Sequence, residues 1–395
     1  MKKSALLFHL LLPVCFSCFS QTWVKQESNT TSDLYSLYFI NTDTGFASGS
    51  NGTIIKTNDG GSNWLSVNSN TSERIGSIHF TNILTGFAVC GSGLLKTTDA
   101  GENWFIQDTA SWLTGISFIN QDTGFACGSG VLLKTANGGN TWVRQQSIGG
   151  TVISFYAADA DIFYIGADCS YIYKTINGGT NWDVIYGPGF PVSYYDLYFM
   201  DRDTGFAAGG GWAQGSEAGI IMKTTNGGMS WDGFSFDKTV RSVHFVNKTS
   251  GYAAGNYGTI FKTTDTGNNW SQLNSGVTEN LTHIWFTDAS TGYAVGENGV
   301  ILKTTNGGLG IITPDNNEKD FSLFPNPFIN YITINASQLT DNAEISIYTI
   351  QGLLIYKQSL RKTATQLDLS FMKPGIYFAA FTSGQRTGII KMIKK

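Results

Sequence analysis

One motif recurs along most of this chain at intervals of about 40 residues. It runs from an aromatic strand pattern through Thr-Gly-Phe/Tyr and Lys-Thr to a Gly-rich turn closed by tryptophan. Its sharpest portion, Thr57-x-Asp59-x-Gly61-x-x-Trp64, returns at Thr97 to Trp104, Thr135 to Trp142, Thr175 to Trp182, Thr224 to Trp231 and Thr263 to Trp270, then truncated at Thr304 to Gly308. Each unit holds four short strand patterns, and a single four-stranded sheet cannot bury both of its faces. The repeat therefore predicts an all-β chain whose units stack side by side as a seven-bladed β-propeller.

Composition agrees with many short strands joined by tight turns. Of 395 residues, only 14% are charged and 13% aromatic, with 47 Gly against 7 Pro, which fits neither disorder nor helices. The net charge is −4 and the only basic run is Lys391, Lys394 and Lys395, so a nucleic-acid surface is not expected. At the start, Lys2 and Lys3 precede the apolar stretch Ala5 to Val14, which is too short to span a bilayer. Residues 1–20 read as a signal peptide with Gln21 as the first mature residue. The residues before Cys15 and Cys18 do not fit a lipid-anchor signal. Cys90, Cys127 and Cys169 remain, an odd number. A Cys90–Cys127 bridge is one reading, and buried apolar thiols are the favoured one.

Within the first unit, Leu37-Tyr38-Phe39 reads as strand a, Gly45 to Ser48 as b, Thr53 to Lys56 as c and Trp64 to Val67 as d. Strand a carries Phe39, Phe80, Phe118, Phe199, Phe245 and Phe286, with an aliphatic residue two positions earlier. A spacing of two puts each pair on one strand face, toward the neighbouring blade. The seventh unit lacks its fourth strand. Thr22-Trp23-Val24-Lys25-Gln26 matches Thr141 to Gln145 of the third unit, so the N-terminal strand is expected to complete the last blade and leave no open sheet edge.

The turn between strands c and d resembles the Asp-box of sialidases and many other propellers. Its Asp59, Asp99, Asn137, Asn177, Asn226, Asp265 and Asn306 are expected to bond turn amides, with glycine taking positive φ. They read as structural, because four of the seven are Asn and each lies in a separate blade. No metal site and no cofactor are expected; His79, His244 and His283 are dispersed among blades. A lysine precedes each box threonine (Lys56, Lys96, Lys134, Lys174, Lys223, Lys262, Lys303), and these read as stems over apolar surface with heads in water.

Taken together, Thr-Gly-Phe/Tyr-Ala-x-Gly, Gly-x-Ile-x-Lys-Thr and Asp/Asn-Gly-Gly-x-x-Trp make residues 21–312 similar to the seven-bladed photosystem II assembly and stability factors. That resemblance implies a non-enzymatic chaperone that holds membrane-protein intermediates through an arginine-rich patch. Here the propeller's Arg74, Arg144, Arg202 and Arg241 are scattered, so the patch is not evident. The tail resembles a type IX secretion C-terminal sorting domain, on Phe321-Ser322-Leu323-Phe324-Pro325-Asn326-Pro327-Phe328, Ile345 to Tyr348 and Lys373-Pro374-Gly375-Ile376-Tyr377. The sorting motif comprises Pro325, Asn326, Pro327, Gly375 and Tyr377. The resemblance implies type IX secretion machinery as a partner and a secreted or outer-membrane surface location, with the propeller as cargo. Residues 321–395 carry strand patterns near 331–335, 344–349, 353–358, 366–369, 375–382 and 386–393, consistent with a small β-sandwich, and 313–320 read as a linker.

In a four-stranded blade the b–c and d–a connections emerge on one face and the a–b and c–d turns on the other. Asp-boxes occupy the second, so a ligand is expected on the first. Blade five carries an insertion there, Gly209 to Glu217, and the connection before it contains Phe190 and leads to Tyr194 and Tyr195. Trp112, Phe190, Tyr194, Tyr195, Trp212 and Tyr257 are the candidate binding residues, since aromatic side chains on Gly-rich loops stack on sugars or anchor protein partners. The leading expectation is a non-enzymatic binding or scaffold module for a glycan or an envelope protein. The alternatives are a glycoside hydrolase using acids among Asp161, Asp196 and Glu217, or an envelope assembly factor.

Overall fold

The computed structural model describes residues 23–109, 112–145, 151–167, 171–187, 192–213, 215–308, 321–336, 339–340, 343–349, 354–383 and 386–395, without the side chains of 212, 213 and 386–389. The expected signal peptide and linker, Cys169 and Phe190 lie outside the described residues, as does the side chain of Trp212. The chain divides into two compact units, Met1–Leu309 and Gly310–Lys395. Among the described residues no helix is long and apolar enough to cross a membrane.

The first unit is a seven-bladed propeller. Blade one is an antiparallel sheet of Leu34–Phe39 (a), Gly45–Gly49 (b), Ile54–Thr57 (c) and Leu65–Val67 (d), hydrogen-bonded in that order, and the next five blades repeat it. Blade seven takes strands a to c from Leu281–Phe286, Gly292–Gly296 and Ile301–Thr304, and its outer strand from Val24–Gln26, with Val24 opposite Lys303. The a strands adjoin one another around the ring, blade seven meeting blade one. Trp23 is fully buried beside that closing strand and meets Phe286 edge-on at 5.8 Å between ring centres.

Three kinds of side-chain position join neighbouring blades. The aromatic residue of strand b stacks on the strand-a phenylalanine of the following blade, as in Phe46 on Phe80 at 4.4 Å, Phe206 on Phe245 at 4.3 Å and Tyr293 on Phe39 at 4.2 Å. That phenylalanine lies over the glycine that opens strand b of its own blade. A Cβ at Gly45 would fall 2.5 Å from the Phe39 ring, so large and small are obligatory partners there. Lastly, a polar residue of strand a accepts the next inner strand's amide: Asp196 from Val243 at 2.9 Å, Ser242 from Ile284 at 3.3 Å, and the His283 imidazole from Leu37 at 3.3 Å across the closure.

Blade four, whose Ala160-Asp161-Ile162-Phe163 breaks the sequence pattern, keeps this packing by exchanging the pair. Ala157 takes the phenylalanine position opposite Phe163, which takes the glycine position. The ring now comes from strand b and meets Phe125 of blade three at 4.1 Å. The irregularity is thus a packing substitution between two strands.

The lysine expectation requires correction. Lys56 reaches the Ala100 carbonyl at 2.9 Å and the Glu102 carboxylate at 2.6 Å, Lys174 the Gly227 carbonyl at 2.7 Å, Lys262 the Gly307 carbonyl at 2.9 Å, and Lys303 the Gly60 carbonyl at 2.6 Å. Each of these heads caps the c–d turn of the following blade and lies over its own blade's strand-b ring, as Lys303 does over Tyr293. Lysine therefore works here as a latch between blades, its stem packed and its donors spent on turn carbonyls, which at Gly60, Gly227 and Gly307 also accept the strand-b tyrosine hydroxyl.

The second unit pairs two antiparallel sheets around one core that includes Phe321, Phe328, Ile345, Ile347 and Phe381. One sheet has the order Phe321–Phe324, Tyr331–Ala336, Ala364–Asp368; the other runs Leu354–Ser359, Glu344–Thr349, Gly375–Ser383, Arg386–Lys394. Phe321–Phe324 is a strand that the alternation of residues had not singled out. The sorting-motif residues are tied to the C-terminal strand. The Asn326 side chain donates to the Lys391 carbonyl at 2.6 Å and accepts from the Ile393 amide at 3.0 Å. Pro325 and Pro327 flank it in an exposed turn, Gly375 opens a central strand, and the Tyr377 hydroxyl donates to the Lys373 carbonyl at 2.8 Å.

Candidate ligand-binding face

On the Asp-box face the threonine and the Asp or Asn of each box are engaged within their own turn. In the first box, the buried Thr57 hydroxyl accepts the Gly61 amide at 2.8 Å and donates to Asp59 at 2.9 Å, and Asp59 takes the Asn63 amide at 2.8 Å and its side-chain nitrogen at 2.7 Å. Box residue and fourth-following residue are matched as acceptor and donor. Asp99 and Asp265 likewise accept from Asn103 and Asn269, whereas Asn137 and Asn226 donate to the hydroxyls of Thr141 and Ser230. Asn177 accepts the Asn181 amide and Asn306 accepts the Thr304 hydroxyl. The side-chain amide of the following asparagine, then its backbone amide, holds Asp59 down to about 2, and Asp99 and Asp265 follow the same order to the same value. These groups are occupied with one another.

The opposite face differs. Strands b and c of blade five extend to Gly205–Ala213 and Ser216–Thr224, nine residues each where blade one has five and four. Trp112 in the connection to blade three is 71% exposed, and Tyr257 in the b–c loop of blade six is 57% exposed. Both sit in left-handed backbone, at φ of 65° and 56°. In blades one and seven the position of Tyr257 is held by Asn51 and Asn298, each also at φ 56°. Asparagine tolerates that conformation; a bulky aromatic residue pays for it. The Lys238 ammonium lies 4.5 Å from the Tyr257 ring centre.

Tyr194 must be removed from the candidate set. Its side chain is fully buried, packed with Leu197, Phe199 and Tyr164. It occupies the position of Leu34, the inward-facing residue before the irregular register step in strand a. Tyr195 is the residue displaced by that step and is half-buried, with the Arg241 guanidinium 5.0 Å from its ring centre. Tyr35 is its counterpart in blade one, where Arg74 lies 4.2 Å from the ring centre.

Sequence reading missed the chain of contacts behind Arg241. Its Nε donates to Asn256 Oδ1 at 2.5 Å, and Asn256 Nδ2 donates to Glu217 of the blade-five extension at 2.5 Å. Glu217 also accepts the Thr239 amide at 3.3 Å. Burial works against ionisation of Glu217, and the bonds from Thr239 and Asn256 outweigh it, so its carboxyl lies below the usual range. The available signal was positional: arginine stands where the other blades carry Tyr35, Gly76, Thr114, Ile153, Tyr195 and Thr282. Of the three acids expected for glycoside hydrolysis, one stands on the Asp-box face and the other two are engaged in hydrogen bonds. Asp161 lies in the a–b turn on the Asp-box face, Glu217 is bound to Asn256, and Asp196 is turned to the Ser242 hydroxyl at 2.8 Å, with burial pushing its carboxyl up to about 6. Cys90 and Cys127 are both free and buried, and burial pushes the Cys127 thiol up to about 12. Among the described residues no cluster of His, Cys, Asp and Glu could hold a metal ion.

Fold and face together define a closed Asp-box propeller followed by a separate β-sandwich tail. Residues 17–108, 64–189 and 235–305 match the photosynthesis system II assembly factor YCF48, and residues 322–395 match the secretion system C-terminal sorting domain. The chain belongs to the YCF48 family of assembly factors and carries a type IX sorting tail, which marks it as secreted or displayed at the cell surface. A solved YCF48 bound to a D1 peptide is similar at 19% identity and a TM-score of 0.61, over 72% of this chain and 97% of that one. YCF48 from Cyanidioschyzon merolae gives 18% and 0.59, over 72% and 98%. The extracellular domain of the one-component system BT4673 from B. thetaiotaomicron gives 12% and 0.58, over 95% of this chain and 59% of that one. At such identities the likeness concerns the fold. No curated protein sequence matches significantly.

Proposed function

We propose that this chain is a non-enzymatic binding module, exported by its tail, that holds a segment of a partner protein on the face formed by the b–c and d–a connections. The observation that carries the reading is Tyr257: an exposed aromatic residue in left-handed backbone at a site where sister blades use asparagine. Conformational cost without a packing return is a mark of function rather than of folding. Trp112 repeats it in another blade, and the cations beside Tyr257, Tyr195 and Tyr35 add polar anchoring next to apolar area. A related propeller, YCF48, has been solved with a peptide bound, which favours a polypeptide ligand over a glycan.

The test is a display of random peptides, a glycan array and a fluorogenic glycosidase panel on the same full-length protein. The reading predicts selected peptides whose binding is lost in Trp112→Ala and Tyr257→Asn and kept in Asp265→Asn on the opposite face. Saturable glycan binding without peptide binding, or turnover of any glycoside, would overturn it.

A further inference from the structure

We infer that Arg241 is a carboxylate-binding residue on this face, held ready by Asn256 and Glu217, and that the partner segment is acidic; this deepens the protein-binding reading and rests on it. The argument starts from how the propeller treats its other arginines. Arg202 is neutralised by Asp159 at 2.6 Å on the Asp-box face, and Arg144 donates to the Gly130 carbonyl at 3.0 Å on an outer strand. Arg241 has no carboxylate within ion-pair distance among the described residues, although it is half-buried. A partly desolvated guanidinium without a counter-ion is unfavourable unless something supplies one.

The surroundings fix the geometry without neutralising the charge. Tyr195 presents its ring to the guanidinium, which suits a planar cation and leaves the edge nitrogens free. Asn256 takes only Nε. The nearby carboxylate, Glu217, is spent on the Asn256 and Thr239 donors, so it orients the asparagine instead of capturing the arginine. The two terminal nitrogens of Arg241 remain as a fork, the geometry that pairs in parallel with both oxygens of a carboxylate. A long hairpin present only in blade five among the described blades delivers Glu217 to this point, which gives the insertion a role. Arg74, exposed and two residues ahead of the blade-two counterpart Gly76, stands over Tyr35 and offers a second cation three blades around the ring. An extended segment with acidic groups at its two ends matches that pair.

The chain contains six arginines, so the Nε–H signals of the 15N-labelled full-length protein can be assigned by single substitution. N-acetyl-L-tyrosine is the carboxylate probe and N-acetyl-L-tyrosinamide its uncharged control. The expected result is a saturable shift of the Arg241 signal with the acid and none with the amide. Affinity, followed on the Asn256 backbone amide, should fall about tenfold or more in Arg241→Lys. Asn256→Asp supplies an internal carboxylate to Arg241; it should retain the fold and lose the acid probe. Glu217→Gln should weaken the acid probe severalfold while changing the Arg241 Nε shift in the free protein, a change that a merely structural role would not produce. Equal shifts with both probes, uniform shifts of all six arginine signals, or undiminished affinity in Asn256→Asp would overturn the inference. Peptide capture that survives Arg241→Lys but not Tyr257→Asn would sink the carboxylate anchor and leave the protein-binding reading standing.

Discussion

The two faces of the propeller are built from the same repeats and obey different rules. On the Asp-box face the threonine and the Asp or Asn of each motif find partners inside the repeat, as with Thr57, Asp59 and Asn63, and lysines such as Lys303 reach the next blade at Gly60. On the opposite face strands b and c of blade five run past strands a and d, and aromatic residues stand exposed in backbone that suits asparagine. Repetition on one side supplies closure; departure from it on the other supplies a surface free to change. The difference teaches that the conserved-looking letters of such a motif are those least concerned with a ligand, because their hydrogen bonds are already spoken for.

The largest expected effect comes from breaking the closure that the Asp-box face depends on. Trp23→Ala removes a buried indole from the last blade and should cost about 3–5 kcal/mol in chemical denaturation. Thr57→Val strands the buried Gly61 amide and should cost about 1–3 kcal/mol, without changing ligand binding on the other side. Ala157→Phe alone overpacks blade four by about 1–3 kcal/mol, and adding Phe163→Gly should recover most of that loss by restoring the arrangement of the other blades. Recovery would be measured as non-additivity in a double-mutant cycle.

A weaker effect is expected from pH. Burial lowers His79 and His283 to about 4, and burial followed by the neighbouring His283 lowers His244 to the same value. Their native forms are neutral, so the stability they contribute is complete above the ordinary histidine value and is lost as pH falls through about 4. Asp196 opposes them. Its raised value of about 6 means that the folded state keeps a proton there which the unfolded chain releases, and stability gains from it as pH drops. Thermal melts between pH 7 and 4 should therefore flatten when the three histidines are replaced by glutamine and steepen in Asp196→Asn.

Much of the fold was legible because its determinants are local and repeated. Spacing of two identified the inward phenylalanines, and the missing last strand pointed to Trp23 and its neighbours. What escaped was relational. Lys56 looks like a solvated stem until the next blade's carbonyl is in place, and Ala157 with Phe163 looks like decay of a motif until the two strands are paired. The face was less legible still. Tyr194 and Tyr195 are adjacent in sequence, and only the register step in strand a sends one inward and leaves the other beside Arg241. Glu217 reads in the sequence as a candidate acid, since nothing there shows that Asn256 will meet it.

The smallest change in stability carries the most weight for function. Tyr257→Asn places in blade six the residue that blades one and seven use at φ 56°. Its stability and its peptide binding should be measured together on the full-length protein. The account predicts a gain of about 0.5–1 kcal/mol together with loss of binding to the selected peptides. A variant that is no more stable and binds as well as the parent would contradict it, because the tyrosine would then be neither strained nor used.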